Sequence, residues 1–389
     1  MHTTMRLRHG LGRYAAAALA AAAALGTLGI AGPAYAAPAS GSGVAVTPIA
    51  LSKDWSPNAQ YGSSGPGWYV DTSLVDPAVV HLQGAVTQIA TTAGTNPNLI
   101  GTLPPAARPD RSVYELVHTF NGTYADIEID PSGNIYLINP RSPAVQDYSF
   151  VSLEGVSYER SISASNIPVP VNTPNWSPNA GFNSVAPSAW VDGSGNVHLA
   201  GAATQICDTT DCAPVIATLP PALRPAATVD VMAHTFAGTY VDLTIDPSDG
   251  QIAIIGARYP AVNDYRFVSL EGITFSQTGG DSAPIALNTA VYADTTYVYH
   301  PSADLDAWGV VHLYGGVYQH ANGADENLVG TVPAFARPDR DVYELVQTEL
   351  GTYADVVITP AGQINIIDPR QPLLTGLGFI SLEGISYQP

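Results

Sequence analysis

The chain has 389 residues, with 33 Asp and Glu against 14 Lys and Arg, a formal net charge of −19. Such a charge repels phosphate and anionic lipid, which excludes nucleic acid and membrane surfaces as partners drawn in by charge. The chain is 46% hydrophobic yet carries 36 Gly and 32 Pro, so it has material for a core but is cut by turns along its length.

Residues 1–36 read as a signal peptide. Arg6, Arg8 and Arg13 form a basic start, Ala15–Ile30 an Ala/Leu-rich apolar stretch, and Ala34-Tyr35-Ala36 a small-residue cleavage site. The mature, secreted extracellular chain then begins at Ala37, with 11 bases against 33 acids and a net charge of −22. The alternative, an N-terminal anchor, fits less well, because the apolar run is short and ends in a cleavage signal. No later stretch is apolar enough to insert in a bilayer. Residues 37–47, rich in Gly, Ser and Pro, read as a flexible lead-in.

From there the chain writes one cassette three times, over residues 48–160, 161–277 and 278–389. Each copy has a Val-His-Leu (His81, His198, His312), an Arg-Pro (Arg108, Arg224, Arg337), a long central stretch and a closing Ser-Leu-Glu-Gly (Glu154, Glu271, Glu383). The histidines are 117 and 114 residues apart, the length of a small domain rather than of a solenoid turn. Residues 161–171 and 278–284 read as linkers.

The central stretch is 113–130, repeated at 229–246 and 342–359. It alternates with a period of two: Ala125, Ile127 and Ile129 point one way, and Tyr124, Asp126, Glu128 and Asp130 the other. A Gly-containing turn and a second apolar strand follow, which predicts a hairpin with one face on a core. Several short strands per copy predict an all-β chain of three tandem β-sandwich, jelly-roll-like domains. Cys207 and Cys212 are the only cysteines, and in a secreted chain they predict a local disulfide.

Six of the mature basic residues recur at equivalent positions: Arg108, Arg224 and Arg337, and Arg141, Arg258 and Arg370. They are expected to form structural ion pairs with the recurring acids Glu154, Glu271 and Glu383, or Asp126, Asp242 and Asp355, or Glu115, Asp230 and Glu344. A carboxylate clamp is the functional alternative. His81, His198 and His312 read as hydrogen-bonded strand residues, with no metal spacing inside one copy. Asp126 and Glu128 could act as an acid/base pair, but Thr244 and Val357 break it in the later copies. No nucleophile elbow, zinc-protease helix or phosphate loop is present. The expectation is therefore no enzyme, no cofactor and no metal. Asp-rich turns such as 130–134 offer too few ligands to assign Ca²⁺.

The loops that differ between copies are the expected binding surfaces. Copies one and two open with W-S-P-N-A (Trp55, Trp176). Copy three has a longer segment with Tyr292, Tyr297, Tyr299, His300 and Trp308 instead. Aromatic faces beside polar groups suit sugar stacking.

The order VHLQGAV, IGTLPPAARPDR and FVSLEGVSYER, running through each copy, resembles the C-terminal head-like β-domain of phage tail-fibre and receptor-binding proteins. That resemblance implies a trimeric β-sandwich that binds a cell-surface saccharide or protein, and carries over no catalytic residue. Three copies in one chain suggest an intramolecular pseudo-trimer, against beads on a string or an oligomer. The expected function is secreted, non-enzymatic binding of a glycan or a cell-surface protein. A structural or adaptor subunit of a surface assembly is the alternative, and a carboxylate glycoside hydrolase the third reading.

Overall fold

A computed structural model describes residues 44–389 apart from 59, 71–77, 90–97, 121, 139–147, 208–211, 237, 256–264, 280–282, 290, 295–297, 320–326, 350–351 and 371–377. The proposed signal peptide, Arg141, Arg258 and Tyr297 lie outside the described residues, as do the side chains of Tyr292 and Arg370.

The described chain is all-β. Its only helical pieces are single 3-10 turns, three of them (Pro105–Ala107, Pro221–Leu223, Ala334–Ala336) just before the Arg-Pro of each copy. Every copy builds two antiparallel sheets, and no sheet mixes strands from different copies. In copy one a four-stranded sheet runs Thr47–Pro48, Gly67–Val70, Val79–Gln83, Ser157–Glu159. The eight-stranded sheet opposite is centred on Val113–Thr119 and Thr123–Ile129. The last strand of the copy pairs with one from its first third, Tyr158 against Val80, so the sandwich closes on itself. Parts read as lead-in and linker are edge strands here: Thr47 pairs with Trp68, and Ile167–Pro168 and Ala283–Pro284 pair likewise. An edge position tolerates the prolines, since the missing N–H would face away from the sheet.

The period-two pattern fixes the core. Ala125, Ile127 and Ile129 are fully buried and pack with Val80, Leu82, Ile135 and Leu137 between the two sheets. The equivalent residues do the same in copies two and three. The opposite face of the same strands is buried too: Asp126 and Asp355 are wholly inaccessible. It is covered by the neighbouring copies. From residue 39 onward the chain is one compact unit, in which Val113–Thr119, Val229–Thr235 and Val342–Thr348 pack against one another.

Tyr124, Tyr240 and Tyr353 meet at the centre, their rings 5.3–5.4 Å apart and mutually edge-on, 83–86° between planes. Three equivalent residues in a closed ring define a pseudo-threefold arrangement of the copies. Tyr124 donates to the Gly238 carbonyl and Tyr353 to that of Gly122, so both of these hydroxyls reach the next copy.

Candidate functional site

The three seams between copies are built from the same positions but are not equal. Between copies one and two, Arg111 forms a two-pronged bond with Glu271, both contacts 2.7 Å. Between copies three and one, Arg340 holds Glu154 in the same way at 2.8 Å. Each glutamate also accepts a backbone N–H, from Gly201 and Gly84 respectively. The glycine that follows is forced by this packing: Gly155 has φ +76°, and a Cβ there would collide with the Glu344 carboxylate.

A second ring lies closer to the tyrosines. His118 Nδ1 is 2.6 Å from Asp355 Oδ1, and His234 Nδ1 is 2.6 Å from Asp126 Oδ1. Tyr343 stacks on His118 and Tyr114 on His234, each at 5.6 Å. Their hydroxyls donate to the backbone carbonyls of Tyr61 and Phe182. Burial, with Asp341 and Tyr61 adding to it, pushes Tyr343 up to about 12, so it remains a neutral donor.

The seam between copies two and three has lost all three cation or phenol positions. Ala227 stands where Arg111 and Arg340 stand, Gln347 where the histidines stand, and Asp230 where the tyrosines stand. Glu383 keeps the Gly315 N–H at 2.7 Å, but its Oε2 is buried without a hydrogen-bond partner among the described residues, as are both oxygens of Asp242. Burial, reinforced by Asp230, pushes Glu383 up to about 8, despite the Gly315 bond. The same causes raise Asp242 well above the carboxylate range. Tyr299 partly fills the gap, accepting the Ala226 N–H at 2.7 Å and donating to the Ser276 carbonyl.

The two intact seams each open into a pocket, about 340 Å³ between copies one and two and about 240 Å³ between copies one and three. Their walls correspond residue by residue. Phe182, His234, Phe236, Phe267 and Tyr114 line the first; Tyr61, His118, Phe120, Phe150 and Tyr343 line the second. The position that differs in charge is Glu128 in the first and Val357 in the second. Phe182 and Tyr61 are about half exposed, at 51% and 50%. Both sit in left-handed backbone, φ 54° and 59°. A bulky residue there costs on the order of 1 kcal/mol or more, offset here by the backbone bonds Ser112 N–H to Asn183 and Asp341 N–H to Gly62 across the seams. Each pocket thus offers flat aromatic faces beside an imidazole already oriented by a carboxylate. No serine or cysteine is among the described lining residues.

The residues singled out in the sequence fall elsewhere. Trp55, Trp176, Tyr299 and Trp308 are buried and do not form an open sugar-stacking surface; Trp176 is a fully buried core residue that donates to the Ala213 carbonyl. Trp55 and Trp176 pack into the cores of copies one and two, and Tyr299 of copy three packs into the core of copy two. His300 is exposed. The described hydrogen bonds of Arg108 and Arg224 go to backbone carbonyls, of Leu103 for the first and of Leu219 and Ser248 for the second, not to acids. Of the expected acids, Glu154 and Glu271 hold arginines, Asp126 and Asp355 hold histidines, and Glu383 and Asp242 hold no cation among the described residues. Asp230 is in register with Tyr114 and Tyr343, and Val231 with Glu115 and Glu344. Glu115 and Glu344 line a carboxylate-walled cavity of about 90 Å³ between the three copies, where burial raises both carboxyls.

His198 and His312 are bonded to Asp192 and Asp306 at 3.2 Å. Burial lowers His81 to about 3. Among the described residues no group of three or more His, Cys, Asp or Glu is placed to hold a metal ion, and no helix is long and apolar enough to cross a membrane. Cys207 and Cys212 are bonded to each other.

Sequence reasoning missed Arg111 and Arg340, although each follows an Asp in the pair D-R that copy two replaces with Ala226-Ala227. It also missed Tyr61 and Phe182, which lie two residues past W-S-P-N-A in copies one and two. Comparison of the chain with family models, with curated proteins and with solved structures gives no match.

Proposed function

We propose that this is a secreted, non-enzymatic binding protein whose two seam pockets receive ring-shaped ligands, in the first place sugar rings of a cell-surface or extracellular glycan. One observation carries the reading: the same aromatic pocket is built twice, each with a half-exposed aromatic held in unfavourable backbone at its mouth. Core packing gives no reason to keep Tyr61 and Phe182 exposed, whereas ring stacking does. The order of motifs shared with tail-fibre heads supports the same class of function, and the N-terminal 36 residues support export. Export is checked by N-terminal sequencing of protein recovered from medium, which should begin at Ala37.

The binding reading is tested by titrating a panel of polysaccharides. Binding at two sites per chain is expected, with Phe182→Ala and Tyr61→Ala each removing one site and neither unfolding the protein. Unchanged binding in the double variant would refute the pockets.

An adaptor role in a surface assembly is the second reading. Ile89 and Ile206, at equivalent positions in copies one and two, are exposed at 59% and 52% and would suit a protein contact. A stoichiometric protein partner recovered without glycan binding would favour it.

A further inference from the structure

The two pockets differ at one chemically decisive position, and that difference assigns a ligand class to one of them. Glu128 of the first pocket occupies the place held by Val357 in the second. Its described partner is the Tyr114 hydroxyl at 3.1 Å, but the same hydroxyl lies 2.8 Å from the Phe182 carbonyl. A phenol has one hydrogen to give, and the shorter contact takes most of it. The carboxylate therefore sits at an aromatic pocket with only a shared donor. No Lys or Arg is among the pocket's described lining residues, and His234 is already committed to Asp126. A carboxylate beside aromatic faces accepts hydrogen bonds and favours positive charge, and rings attract cations at their faces.

Resting on the binding function proposed above, we infer that the pocket between copies one and two selects a ring bearing a protonated amine, such as a de-acetylated amino sugar, through Glu128, while its counterpart at Tyr61 takes an uncharged ring. The chain's net charge of −19 raises the local concentration of such cationic ligands and does not by itself choose between pockets. Arg266 lies 4.3 Å over the Phe236 ring, behind one wall, so a carboxylated ring is the competing ligand.

The test is calorimetric titration at low salt and mildly acidic pH with three oligosaccharide probes: glucosamine, N-acetylglucosamine and glucuronate oligomers. The glucosamine oligomer is expected to bind one site about tenfold more tightly than the acetylated one, the usual scale of a charge-assisted bond. That preference should shrink with added salt. Glu128→Gln should bring the two probes to equal affinity at that site, and Phe182→Ala should remove the site for both. A preference that survives Glu128→Gln, or tighter binding of the glucuronate probe, overturns the amine assignment and leaves the pockets standing. Binding of no probe at all, or full binding to Phe182→Ala, overturns the pocket reading together with it.

Discussion

Arg111 shows how much one residue decides here. Its guanidinium is 2% exposed, shared between Glu271, the Glu159 carbonyl and Asp110, and burial is outweighed by Glu271 so that its charge is held firmly. Removing one member of such a buried pair leaves the other charged and unpaired, which costs roughly 3–5 kcal/mol. Arg111→Met should therefore lower the stability measured by urea denaturation by about that amount. Arg108→Met, which loses a bond to a backbone carbonyl, should cost about 1 kcal/mol. Equal losses for the two would mean that the seam does not carry the stability of the chain. The recurring Arg-Pro draws the eye in the sequence because all three copies keep it. Arg111 is hidden by its absence from copy two, since a pair between copies needs only one partner from each. Of the six conspicuous acids, all expected to be paired, Glu154, Glu271, Asp126 and Asp355 hold cations and Glu383 and Asp242 hold none among the described residues. Which cation each of the four holds was not legible, because the partners come from other copies and alignment of the repeats is silent on what lies across a seam.

The hairpin strands were legible almost in full. Alternating Ala125, Ile127 and Ile129 specify a strand and its inward face, since a one-residue slip would turn every one of them outward. The other face was legible only in part: its recurring Tyr-x-Asp marks a contact between units, but not which groups it meets there. Tyr124 and Asp126 are ordinary residues for an exposed strand face, and only the packing of three copies brings Tyr124 into a ring of tyrosines and buries Asp126. Trp55 and Trp176 mislead for a related reason: an aromatic in a variable opening segment looks like a ligand platform until the sheet beneath it is known. The disulfide is a local device. It joins residues 5 apart in copy two. A loop that short contributes about 2 kcal/mol at most in the chain-entropy account. The pair of substitutions Cys207→Ala and Cys212→Ala should leave the melting temperature within a few degrees of the parent. Loss of the folded state would show that the loop organises copy two.

The whole molecule gathers buried acids faster than cations. Glu383, pushed up to about 8, and Glu115, Glu344 and Asp242, raised in the same direction by burial, all favour the proton in the folded state. An unfolded glutamate titrates at about 4.3. Below that value both states are protonated and the stability is intact. As pH rises toward 8 the unfolded chain releases protons that the folded chain retains, so stability falls. Thermal melts should therefore move to lower temperature from about pH 5 to about pH 9. Glu383→Gln, which needs no proton, should flatten that slope and be the more stable protein at the alkaline end. A melting temperature that rises across the window would contradict the burial of these groups.

All of these consequences depend on three copies closing on one another within a single chain. Small-angle X-ray scattering of the chain from residue 39 onward tests that closure directly. A compact unit of about 350 residues should give a radius of gyration near 20 Å and a single-peaked distance distribution. A markedly larger radius, with the long tail of three linked beads, would contradict the seams and the pockets built in them.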